Sequence, residues 1–124
     1  MAKIIISIVD DDHWVRRATG RLVQSMGFHV EDFSSAKDFL LSPHLHHTSC
    51  LIVDMQMPGM TGLELQRHLK ASGTSIPTIF ITANSDGMLR EQVLKSGALY
   101  LGKPFDDEAL LTAIRLALNA KPDS

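Results

Sequence analysis

The sequence predicts a doubly wound α/β domain, a parallel sheet covered by helices on both faces. Three observations carry that expectation. Short apolar runs alternate with longer amphipathic segments five times, the connections between them are short, and no internal repeat or low-complexity stretch breaks the alternation.

Ile4 to Val9 is a β-branched run interrupted only by Ser7, the pattern of a strand buried on both faces. Val15, Ala18, Leu22 and Met26 recur three to four apart, as on one face of a helix, and Gly27 is its expected stop. Phe28 to Phe33 alternates as a half-buried second strand. Ser34 or Ser35 can cap a short helix over Ala36 to Leu41, ended by Pro43. Cys50 to Asp54 is the third strand, Met57 to Met60 a turn, and Thr61 the cap of a helix through Lys70 with Gly73 just beyond. Ile76 to Thr82 forms the fourth strand, with Pro77 near its start, where a missing donor costs least. A helix from about Gly87 to Ser96, a short strand over Ala98 to Leu101 and a helix capped by Asp106 complete the pattern.

Composition sets the bounds. The 124 residues suit one domain, expected over 1–120, with 121–124 a tail or the start of a linker. A hydrophobic fraction of 44% can fill a core and a charged fraction of 21% can cover it, which excludes intrinsic disorder. The net charge of −2, without a basic block, gives no reason to expect direct DNA binding or attraction to an anionic membrane. The lone Cys50 lies inside an apolar run and reads as a buried thiol. No apolar run nears the roughly 20 residues of a membrane span, and none resembles a signal peptide. A cytoplasmic setting is the expectation.

The polar residues cluster at strand ends. Asp10 and Asp11 follow the first strand, Asp54 ends the third, Thr82 ends the fourth and Lys103 follows the fifth. In open parallel sheets the ligand crevice lies outside the carboxyl ends of the strands, so all these groups are expected at one edge. Three carboxylates there repel one another, and a divalent cation resolves the conflict; an all-oxygen site suits magnesium. Lysine is a compact point charge for a phosphoryl oxygen, and the threonine hydroxyl is a movable donor. The chemistry this set can perform is carboxylate attack on a phosphoryl group, giving an aspartyl-phosphate.

The segments Val9-Asp10-Asp11-Asp12, Asp54-Met55-Gln56-Met57-Pro58-Gly59-Met60-Thr61-Gly62, Thr82-Ala83 and Tyr100-Leu101-Gly102-Lys103-Pro104-Phe105 resemble the receiver domain of two-component response regulators. The resemblance covers essentially the whole chain. It implies a flavodoxin-like sheet of five strands in the order 2-1-3-4-5, with Asp54 as phospho-acceptor. Asp11, Asp54 and the backbone carbonyl of Gln56 would hold Mg2+, with Mn2+ able to substitute and Asp10 acting mainly through water. Asp10 and Asp11, rather than Asp12, match the motif because Asp10 directly follows the apolar strand. Lys103, Thr82 and the Ala83 backbone N–H would receive the phosphoryl oxygens, and the Lys103–Pro104 bond would be cis. Tyr100 matches the switch aromatic, beside its plainer reading as a half-buried strand residue. Gln56 and Asn84 occupy positions whose side chains tune phosphate lifetime in the family.

The resemblance also implies partners. A sensor histidine kinase or phosphotransfer protein would donate the phosphoryl group, and the surface of helix four, strand five and helix five would change in response, with homodimer formation through it. Similar receivers often precede a helix-turn-helix output domain. An alternative is a magnesium phosphatase of the haloacid-dehalogenase type, but its usual second aspartate, two residues after the nucleophile, is Gln56 here. A flavodoxin-like cofactor binder would need a phosphate loop where three aspartates stand. His44, His46 and His47 are expected in a solvated loop, His13 on a helix surface, and Trp14 in ordinary partial packing.

Overall fold

Strand β1 (Ile5–Val9) is the first apolar run of the chain, and its side chains are buried on both faces of the sheet. In the computed structural model, residues 3–82, 87–103 and 105–119 are described, with 87–90 as backbone only. The order is β1, α1 (His13–Ser25), β2 (His29–Phe33), α2 (Ala36–Leu40), β3 (Cys50–Asp54), α3 (Gly62–Ala71), β4 (Thr78–Thr82), α4 (Gly87–Lys95), β5 (Leu99–Gly102) and α5 (Asp107–Asn119). All pairings are parallel and the strand order is β2-β1-β3-β4-β5, as the resemblance implied.

Alternation along each strand divides the interior in two. Val9, Leu51, Val53 and Phe80 join Phe39 of α2, Leu65 and Leu69 of α3 and Val93 of α4. Ile6, Ile8, Cys50, Ile52, Ile79 and Ile81 join Val23 of α1 with Leu110 and Ile114 of α5. Side chains of successive strand residues point to opposite faces, so each β-branched run feeds both cores at once. Burying each large side chain contributes roughly 1.5–3 kcal/mol.

The helix ends obey local chemistry. Asp12, Ser35 and Thr61 are the N-caps of α1, α2 and α3, and Thr61 shares a capping box with Glu64. The Asp106 carboxylate accepts the N–H of Ala109 at 2.7 Å at the start of α5. Gly59, with φ of 78°, supplies the left-handed residue of the turn after β3. One short 3₁₀ turn, Leu45–His47, was not anticipated; it forms where buried Leu45 anchors the crossover to β3. Trp14 departs from its expected packing: it is 79% exposed, because it lies outside the buried face of α1 formed by Thr19, Gly20 and Val23. No helix among the described residues is long and apolar enough to cross a membrane.

Candidate functional site at the carboxyl edge

Strand register brings together acids that are far apart in sequence. Val9 pairs with Val53, so Asp10 and Asp54 leave the sheet abreast. Ligand oxygens of Asp10, Asp11 and Asp54 lie within 4.8 Å of one another. Lys103 arrives from the other side. Thr82 pairs with Gly102, and the Lys103 backbone N–H donates to the Thr82 carbonyl at 2.8 Å. Its Nζ then stands 3.8 Å from Oδ2 of Asp10 and 3.8 Å from Oδ2 of Asp54.

The other carboxylate oxygens are held by backbone. Asp10 Oδ1 accepts the N–H of Asp12 at 2.9 Å, and Asp54 Oδ1 accepts the N–H of Gln56 at 3.0 Å. Each acid therefore has one oxygen fixed by an amide and one turned toward the lysine. Asp12 itself faces away: its Oδ1 accepts the N–H groups of Trp14 and Val15 at 3.0 and 3.2 Å. The run of three aspartates is thus divided, with Asp12 stabilising the helix and Asp10 and Asp11 left for the edge.

Electrostatically the edge is out of balance. Asp10 is only 3% exposed, and that burial raises its pKa above the ordinary carboxylate value. The Asp12 N–H offsets part of this, Asp54 repels and raises, Lys103 attracts and lowers, and Asp11 raises slightly. Among the described residues, three carboxylates converge here while the Lys103 ammonium stands near two of them. The donors are all oxygen and partly preorganised, which fits a hard divalent cation such as magnesium better than a soft or nitrogen-seeking metal.

Thr82 is fully buried at the end of β4, and half-buried Tyr100 pairs in register with Phe80 while packing on the core beneath α2, α3 and α4. Gln56 is exposed beside Asp54. Ala83, Asn84 and Pro104, with the expected cis bond and the tail 121–124, lie outside the described residues. His44, His46 and His47 are exposed and precede β3, at the end of the sheet opposite Asp54. His13 is exposed on α1, its ring edge-on to that of Trp14.

Two residues at this edge have roles that sequence reasoning missed. Gly62 opens α3 so close to β3 that a Cβ there would lie 2.6 Å from the Asp54 carbonyl oxygen. Its place just after the capping Thr61 was the available signal. Arg16, four residues after the Asp12 cap, reaches back so that Nη1 donates to the Asp10 carbonyl at 2.9 Å. A helical arginine ordinarily reads as a surface cation, so only the structure reveals it.

Comparison with known proteins agrees with this geometry. Residues 6–115 match the response regulator receiver domain family. The response regulator protein TodT of Pseudomonas putida is 45% identical over 119 residues, which is 95% of this chain and 52% of that protein. The transcriptional regulatory protein FixJ of Azorhizobium caulinodans is 37% identical over 114 residues, 91% of this chain and 54% of that protein. The chain thus spans about half the length of these curated relatives. Among solved structures, the response regulator StyR superposes with a TM-score of 0.85 at 44% identity, over 94% of this chain and 60% of that one. FixJ-N gives 0.87 at 31% identity, over the full length of both chains. These matches give no support to the phosphatase alternative. The chain belongs to the response regulator receiver domain family, the phosphorylation-dependent switch of two-component signalling.

Proposed function

We propose that Asp54 accepts a phosphoryl group from a phosphohistidine on a sensor kinase or phosphotransfer protein, and that this chain's own residues catalyse the transfer. The observation that carries the reading is the convergence of the Asp10, Asp11 and Asp54 carboxylates on one edge, with Lys103 3.8 Å from two of them.

An Asp54 carboxylate oxygen attacks phosphorus in line, a new P–O bond forms, and the P–N bond to the donor imidazole breaks, with the electron pair leaving on nitrogen. Asp54 Oδ1 is held by the Gln56 N–H, which leaves Oδ2 as the oxygen nearer the lysine. Lys103 then offsets negative charge on the transferred group, and Thr82 and the Ala83 N–H receive its other oxygens. Asp11, Asp54 and the Gln56 carbonyl would hold magnesium, with Asp10 acting mainly through water, and the ion when bound would neutralise charge on the phosphoryl oxygens. The acyl-phosphate is later hydrolysed at the same site, at a rate tuned by Gln56 and Asn84. Movement of Thr82 and Tyr100 toward the phosphoryl group would alter the surface of α4, β5 and α5, and so control an output domain, a partner or a second copy of the chain. Since the relatives are about twice as long and include transcriptional regulators, a role in transcription is the expected output.

Acetyl phosphate, with and without Mg2+, followed by intact mass, tests this. Addition of one phosphoryl group only with Mg2+ is expected. If hydrolysis outruns accumulation, Trp14 fluorescence should respond to beryllofluoride with Mg2+. Silence in both measurements would overturn the reading.

A further inference from the structure

Arg16 is an unusual helix residue: its side chain is only 14% exposed, and its guanidinium makes three contacts. Nη1 donates to the Asp10 carbonyl at 2.9 Å, Nε stands 3.6 Å from Asp32 Oδ2, and Nη2 lies 3.3 Å from His13 Nδ1. Asp32, on edge strand β2, and His13, one turn back on α1, hold the planar fork from two sides.

The contact with Asp10 matters most for the edge. The Asp10 N–H donates to the Phe33 carbonyl at 3.1 Å, a last rung toward β2. Pairing of β1 with β3 ends at Val9 and Val53, and Arg16 supplies a donor for the carbonyl one residue beyond. That oxygen belongs to the rigid peptide plane that also carries the N and Cα of Asp11. Fixing it fixes the point from which Asp11 projects.

We infer that Arg16 is a positioning residue of the cation site: it clamps the Asp10–Asp11 peptide plane so that both carboxylates meet that of Asp54 before a cation arrives. The inference rests on the reading of the three acids as a cation site. Outer groups that orient ligands commonly change metal affinity by about 10–100-fold when removed.

Manganese alone serves as the probe, with its free signal followed by electron paramagnetic resonance in titrations of wild type, Arg16→Met and Arg16→Lys. Each protein is first shown to be folded by circular dichroism. Arg16→Met should bind Mn2+ at least about 10-fold more weakly. Arg16→Lys, which keeps the charge but loses the planar fork, should fall between. In both variants the Asp11 amide resonance should move while amides in the middle of β4 stay in place, which a general loss of stability would not produce. Wild-type affinity in Arg16→Met, with the Asp11 amide unmoved, would overturn the inference and leave the cation site standing. If Arg16→Met does not fold, wild-type affinity in Arg16→Lys would overturn it instead. Failure of the wild type to bind Mn2+ would overturn both.

Discussion

At the amino ends of the strands, buried polar groups are matched by neutral neighbours. Ser49 Oγ accepts the Ile5 N–H at 3.2 Å, the hydroxyls of Ser7 and Thr48 meet at 2.7 Å, and Thr78 Oγ1 donates to the Ile76 carbonyl at 2.8 Å. At the carboxyl ends of the same strands, three carboxylates converge, and a lysine stands 3.8 Å from two of them. One end is complete in itself, whereas the other holds excess negative charge. A fold tolerates such an edge when something from outside completes it, which on the proposed function is a cation and then a phosphoryl group. Stability and function are thus separated along the strands, not between layers.

The largest effect that would sharpen this contrast is expected from Gly62→Ala. The new methyl would sit 2.6 Å from the Asp54 carbonyl oxygen, a backbone atom that cannot swing aside. A loss of about 1–3 kcal/mol by urea denaturation is expected, with slower phosphoryl uptake because Asp54 must shift. Unchanged stability would mean that α3 is not held against the edge.

The two ends should also differ in the pH range over which they act. Burial raises the Cys50 thiol, at the amino end of β3, to about 12. Its stabilising contribution is complete below the unfolded value of about 8.5 and is lost as pH rises toward the folded one. Stability should therefore fall as pH rises through that window, and fall less steeply in Cys50→Ala. The Asp10 carboxyl, also raised, should act at the acid side. Its contribution is full below about 3.9 and is lost as pH climbs through its higher folded value.

Smaller effects should have opposite signs at the two ends. Ser7→Ala removes the buried hydroxyl that meets Thr48 and should cost about 1 kcal/mol. Asp10→Asn keeps an oxygen for the Asp12 N–H but removes a desolvated charge beside Asp54 and Asp11. It should raise the urea midpoint of the metal-free protein at neutral pH, and a lowered midpoint would contradict the excess of charge claimed here.

Much of this was legible in the residues. The β-branched runs marked the strands, the aspartates, Thr82 and Lys103 stood at strand ends, and parallel topology brings such ends together. Strand order came from family resemblance, since periodicity does not say which strands are neighbours. What escaped sequence reasoning depends on side-chain reach and close approach. Arg16 folds back over the loop, Gly62 admits a backbone contact, Trp14 points to solvent, and Asp12, already set apart from the other two aspartates, caps α1. Consecutive aspartates look alike in a sequence; the direction each takes is decided by the first turn of the helix they precede.

The central claim is that one of three neighbouring carboxylates is the nucleophile while the others serve it. It is tested most directly by treating Asp10→Asn, Asp11→Asn and Asp54→Asn in parallel with acetyl phosphate at saturating Mg2+ and reading intact mass. Only Asp54→Asn should fail to gain a phosphoryl group, with the other two variants gaining it more slowly than wild type. A phosphorylated Asp54→Asn protein, with the group retained at this edge, would contradict the account.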